Sequence, residues 1–378
     1  MILKLLLTTL LVVPGTFSTA FAKAQQYLIT GTYTTSKSEG IYVFKFSSTD
    51  GSSSEISHVK ISNPSFVVVS PNEQFVYAVQ EDASTNGKGG AITAFSFNKQ
   101  SGKLTYINEQ ASGGDHPCYV EVDKTGRWVV AGNYSSGNLA VFPVGANGSL
   151  GAASTILQHE GSGPNILRQA KPHVHCTVFS PDNRFLFVPD LGIDKVMIYA
   201  FDAVSGKLIP ARHPFVQSNP GAGPRHFCFH PTKKYAYLIE ELSGTIEVFK
   251  YKKGRLRQMQ YISTMPPGDT AFAGSADIHV SPDGRFLYSS NRANANTIAV
   301  FTVNQKNGKL ALAGHQSTLG KTPRNFTIDP SGKFLLVANQ NSGEIVLFER
   351  DKTTGLLTDS QKRFVVEKPA CLKWIGTD

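Results

Sequence analysis

The stretch ADIHVSPDGRFLYSSNRANANTIAVF (276–301) decides the fold. It reads as a short apolar strand, the turn Ser281-Pro282-Asp283-Gly284, a second apolar strand, a polar link and a third strand, TIAVF (297–301). Proline presets φ in such a turn, aspartate bonds its own backbone, and glycine supplies a left-handed residue. The same form recurs around Ser70-Pro71-Asn72-Glu73, Asp123-Lys124-Thr125-Gly126, Ser180-Pro181-Asp182-Asn183, His230-Pro231-Thr232-Lys233 and Asp329-Pro330-Ser331-Gly332. Each is followed by a third strand: AITAF (91–95), NLAVF (138–142), KVMIY (195–199), TIEVF (245–249) and EIVLF (344–348). Gly-Lys-Leu turns at 102–104, 206–208 and 308–310 lead into a fourth.

The units start at Pro64, Pro117, Pro172, Pro224, Ala276 and Pro323. A seventh start, at Pro369, leaves room for a single strand, PACLKWI (369–375). Its missing partners fit QYLITGTY (26–33), GIYVFKF (40–46) and SEISHVKI (54–61) at the other end of the chain. Seven four-stranded units set radially make an all-β, seven-bladed β-propeller over 23–378, its last blade closed by the N-terminal strands plus the C-terminal strand. A two-domain β-sandwich would need the period to be coincidence. No apolar pattern of helical period has useful length. One irregular stretch, HEGSGPNILRQAK (159–171), lies between blades and can fold over one face; Arg168, Gln169 and His159 within it could reach over as substrate contacts, but a solvated loop is the preferred reading.

Composition fits this reading. Only 17% of the 378 residues are charged, which excludes a disordered chain or a long exposed helix. Four cysteines exclude a disulfide-built miniprotein; Cys118, Cys176, Cys228 and Cys371 all fall early in innermost strands and read as buried free thiols. The net charge of +9 comes from scattered lysines, which argues against nucleic acid and for an anionic small molecule as partner. Residues 1–22, MILKLLLTTLLVVPGTFSTAFA, have the layout of a signal peptide cut after Ala22, with an apolar run too short to span a bilayer. The mature chain is therefore expected to be exported, periplasmic or secreted, off the membrane, and monomeric because a closed ring needs no partner.

Function is expected where the first strand of each blade begins and the second ends, since both emerge at one mouth of the central channel. First-strand starts place His116, His173, His175, Arg225, His226, Asp277 and Arg324 there. Second-strand ends add Glu81, Asn133, Asp190, Glu240, Glu241, Asn291, Arg292 and Asn339. Histidines, arginines and carboxylates gathered at one place are the mixture a polar active site needs. No G-x-S-x-G elbow, Gly-rich phosphate loop, HExxH or CxxC is present, so neither a cofactor nor a metal is expected. His173 and His175 alternate on a strand and can share a metal, but the arginines argue against a cation.

At Gly223-Pro224-Arg225-His226, Glu240-Glu241-Leu242, Ala276-Asp277-Ile278-His279, Pro172-His173-Val174-His175, Val188-Pro189-Asp190-Leu191 and Asn291-Arg292, the chain resembles the seven-bladed propeller lactonase family. That family includes bacterial 6-phosphogluconolactonase and the fungal carboxy-muconate cyclase. The resemblance implies catalysis by His175, Arg225, Arg292 and Glu241, with His173 beside His175 and Glu240 beside Glu241 as alternatives. It implies hydrolysis of a sugar lactone, 6-phosphoglucono-1,5-lactone to 6-phosphogluconate. A muconate-type lactonising cyclase, a hydrolase of another lactone and a non-catalytic binding propeller are the rivals. Lactone hydrolysis needs an activated water, a stabilised oxyanion and a proton for the leaving oxygen. Glu241 suits the first task, Arg225 and Arg292 the oxyanion or a phosphate, and His175 the last. His173, Asp277, Asn133, His226 and Arg324 are the expected substrate contacts.

Overall fold

The Ser-Pro-Asp-Gly hairpins close through repeated bonds. At 281–286 the Ser281 N–H donates to the Phe286 carbonyl and the Gly284 N–H to the Ser281 carbonyl, both at 2.8 Å. The Phe286 N–H reaches the Ser281 hydroxyl oxygen at 3.0 Å. The fourth turn residue is left-handed in all six hairpins, at φ values from 56° at Glu73 to 72° at Gly126. Glycine holds that conformation without strain and asparagine with little, which explains three glycines and Asn183 at this place.

A computed structural model describes residues 25–84, 89–269 and 271–377, so the stretch read as a signal peptide lies outside the described residues. They form twenty-eight strands, β1 to β28 in chain order, in seven four-stranded antiparallel sheets with no helix. Blade 1 has the order β28 (Pro369–Gly376), β1 (Gln25–Thr32), β2 (Gly40–Ser47) and β3 (Ser53–Lys60), and blades 2 to 7 each use four consecutive strands. The two ends of the chain thus pair in one sheet, Tyr27 opposite Ile375 and Leu28 opposite Trp374. The core lies between facing blades; Leu28, Phe46, Phe334, Leu336 and Leu372 join blade 1 to blade 7.

Two features recur at the channel mouth opposite the hairpin turns. A left-handed residue leads into the innermost strand in six blades, directly before it at His116, Gly223, Gly274, Thr322 and Lys368 and four residues before β4 (Val67–Val69) at Asn63. The innermost strand then bulges. In β8 (Pro117–Val122), β16 (Pro224–Phe229), β24 (Pro323–Ile328) and β28, pairing with the second strand skips Cys118, Arg225, Arg324 and Ala370. In β20 (Ser275–Val280) it skips Ala276 and Asp277. A bulge re-aims the side chain it leaves unpaired. Blade 4 keeps only β12 (Val178–Phe179) and a bridge between Val174 and Asp190 as its innermost strand, and His175 takes the bulge place beside that bridge.

Candidate active site

The bulge residues meet a second set of repeat-equivalent residues, the first one past each second strand. Its N–H donates back to the left-handed residue leading into the innermost strand: Tyr33 to Lys368 O at 3.1 Å, Glu81 to Asn63 O at 3.0 Å, Tyr134 to His116 O at 2.9 Å, Glu241 to Gly223 O at 2.8 Å and Arg292 to Gly274 O at 3.4 Å. These five side chains, with Cys118, His175 and Arg324 from the bulges and Arg168 from the long loop, line a cavity of about 210 Å³. In blades 4 and 7 the corresponding residues are Leu191 and Gln340, neither of which lines it.

The long loop is anchored rather than solvated. The buried His159 ring meets Asp190 Oδ2 at 2.7 Å and the Tyr199 hydroxyl at 3.0 Å. Gln169 is buried as well and donates to Asp194 Oδ1 at 2.6 Å and Leu191 O at 2.8 Å. Between these anchors Arg168 turns inward, its Nη2 2.7 Å from Glu241 Oε1 and 3.3 Å from the Tyr134 hydroxyl.

Glu241 is the hub. Arg168 holds Oε1, while Arg225 Nε at 2.9 Å and Arg292 Nη2 at 2.8 Å hold Oε2. His175 Nε2 stands 4.0 Å from Oε2. Burial alone would raise the Glu241 carboxyl, but the guanidinium charges, Arg292 foremost, keep it well below the usual carboxylate range. Burial, reinforced by the Arg225 charge, pushes His175 well below the ordinary 6.5, so its ring is neutral at pH 7. Four guanidiniums against Glu81 and Glu241 leave the site positive, as an anionic ligand requires.

A family model described as lactonase, seven-bladed β-propeller, matches residues 27–374. The chain belongs to that family. It is 40% identical over 349 residues to the 6-phosphogluconolactonase of Bacillus subtilis, covering 91% of this chain and 97% of that one. To the 6-phosphogluconolactonase of Formosa agariphila it is 39% identical over 355 residues, covering 92% and 98%. The structure of the periplasmic gluconolactonase of Pseudomonas aeruginosa, 36% identical, matches with a TM-score of 0.89 over 94% of this chain and 100% of that one.

Of the channel-mouth residues singled out in the sequence, Glu81, His175, Glu241, Arg292 and Arg324 line the cavity. The pairs left open also separate: Glu241 faces the cavity, while Glu240 turns away to the Thr245 and Ser243 hydroxyls. His175 faces it too, while the His173 ring stacks on Tyr134 at 4.4 Å and bonds the Tyr134 carbonyl at 2.9 Å, off the wall. Arg225, expected at the substrate, lies 1% exposed beneath Glu241 and gives its Nη1 to Ala276 O and His226 Nε2. Asn133, expected as a substrate contact, is fully buried and donates to Ser112 O at 2.9 Å and Asn138 Oδ1 at 2.7 Å. Asn291 and Asn339 bond Thr264 O and Thr318 O in the same way, so this asparagine is a repeated peg between strands.

His226 and Asp277 also miss the cavity. Asp277 Oδ1 bonds His226 Nδ1 at 2.8 Å, and Oδ2 accepts from His279 Nε2 at 2.8 Å and from the Asn325 amide. Both His226 and Asp277 line a separate cavity of about 400 Å³ that also includes His230 and Pro231 of a hairpin turn. Tyr33 and Tyr134 went unnoticed in the sequence, and Cys118, read only as a buried thiol, lines the cavity. Aligning the units on the residue just past the second strand, instead of on its last residue, would have found both tyrosines.

Proposed function

We propose that this protein is a lactonase that opens a sugar lactone of the 6-phosphogluconolactone kind. His175 carries the reading: a neutral, buried imidazole with Nε2 4.0 Å from Glu241 in an arginine-ringed cavity of a lactonase-family chain. The Cys118 thiol, pushed up by burial, keeps its proton and donates to Val174 O at 3.6 Å. Its sulfur then accepts the His175 Nδ1–H at 3.7 Å, which leaves the Nε2 lone pair for the cavity.

In this mechanism Nε2 takes a proton from water as the water oxygen bonds to the lactone carbonyl carbon. The carbonyl electron pair moves onto oxygen, where Arg292 stabilises the charge. Collapse breaks the bond between carbonyl carbon and ring oxygen, and the imidazolium returns its proton to that oxygen. Glu241 steadies the imidazolium by its charge; both its oxygens are held by arginines, Oε1 by Arg168 and Oε2 by Arg225 and Arg292, so the water's proton goes to His175.

Hydrolysis of glucono-δ-lactone with and without a 6-phosphate, corrected for the spontaneous rate, tests the reading. His175→Gln should lose about 100-fold or more. Full activity in that variant would move the base elsewhere, and no turnover by the parent on either lactone would sink the lactonase reading.

Export is part of the same proposal, supported by the signal-like layout of 1–22 and by the periplasmic gluconolactonase at 36% identity. Protein recovered outside the cytoplasm should begin at Lys23 on N-terminal sequencing, and light scattering should give the mass of one chain.

A further inference from the structure

Three of the four arginines at the site are committed to it. Arg225 bonds Glu241, Ala276 O and His226. Arg292 bonds Glu241 and Gly274 O, and Arg168 bonds Glu241 and Tyr134. Arg324 is different. Its nearest carboxylate oxygen, Glu81 Oε2, is 3.9 Å away and already accepts the Tyr33 hydroxyl at 2.7 Å and the Ser65 hydroxyl. The Arg324 guanidinium lies 5.1 Å over the Tyr33 ring, a contact that fixes its plane without using its N–H donors. Its side chain is only 16% exposed and lines the cavity.

A largely buried guanidinium whose N–H fork makes no hydrogen bond among the described residues is a ready partner for a planar or tetrahedral oxyanion. We infer that Arg324 anchors an anionic group on the substrate, a phosphate or a carboxylate remote from the lactone carbonyl, and so selects acidic lactones over neutral ones. The inference rests on the lactonase reading for the reaction but not for the binding. A cavity of about 210 Å³ holds one sugar-sized molecule, so its lactone ring and acidic tail share the walls that carry His175 and Arg324.

The test is calorimetric binding of three open-chain acids, 6-phosphogluconate, glucarate and gluconate, to the parent and to Arg324→Gln, with turnover of glucono-δ-lactone, with and without the 6-phosphate, measured beside it. The parent should bind 6-phosphogluconate or glucarate about 10-fold or more tighter than gluconate, and the tighter of the two identifies the anion. Arg324→Gln should erase that preference, and Arg324→Lys should restore part of it, since the charge returns without the fork. Equal binding of all three acids by the parent, or a preference that survives in Arg324→Gln, overturns the inference. A preference lost in the variant with no turnover of any lactone by the parent keeps the anchor and removes the lactonase reading; turnover without any preference does the reverse.

Discussion

Arg225 Nε lies 2.9 Å from Glu241 Oε2, yet only the glutamate reaches the cavity wall. The arginine is a buried strut, delivered by a bulge in β16 and held from behind by His226 and Asp277. Removing one partner of a buried ion pair leaves an uncompensated charge, so Arg225→Met should cost about 3–5 kcal/mol. Adding Glu241→Gln to that variant should recover part of the loss. Urea unfolding decides this; a single variant as stable as the parent would show that the strut contributes nothing.

The pH dependence of activity should follow His175. Its folded-state value lies well below 6.5, so the ring stays a free base as the pH falls past the point where an ordinary histidine protonates. After subtraction of spontaneous hydrolysis, kcat/KM should stay level from about pH 8 to below 6.5 and fall only at lower pH. An acid limb centred at or above 6.5 would rule out His175 as the base.

Glu240 and Glu247 give stability the opposite slope. Each has one buried carboxyl oxygen without a hydrogen-bond partner among the described residues, and burial pushes Glu240 up to about 7 and Glu247 up to about 8. Both bind a proton more tightly folded than unfolded, where glutamate titrates near 4.5. Their contribution is therefore full below pH 4.5 and is lost as pH rises through about 7 and then 8. Glu247→Gln should melt higher than the parent by a margin that grows from about pH 5 to about pH 9, at roughly 1–2 °C per kcal/mol. A margin independent of pH would refute this.

Ring closure should depend on β28. Its Leu372 N–H donates to Asn325 Oδ1 at 2.8 Å and the Trp374 indole to Ile328 O at 3.0 Å, which fastens blade 1 to blade 7. Ending the chain before Pro369 would strip β1 of its partner and expose a long strand edge. The shortened chain should aggregate or melt without a cooperative transition in circular dichroism. A soluble chain with the parent's sharp melt would mean that closure is dispensable.

The sequence by itself determined the seven units, the hairpin turns and the shared blade, because those depend on local turn chemistry and a period repeated along the chain. It also gathered at one channel mouth Glu81, His175, Glu241, Arg292 and Arg324, which line one cavity in the structure. Only the tertiary structure decided which neighbour of each pair faces inward. Side chains alternate along a strand, so a shift of one residue sends a side chain to the other face, and bulges at Cys118, Arg225 and Arg324 introduce just such a shift. Asn133 and Tyr134 are adjacent in sequence, yet one is a buried peg and the other cavity wall. Arg168 needed the fold for a different reason: its loop has no period to read, and its course is set by His159 and Gln169 anchoring in blade 4.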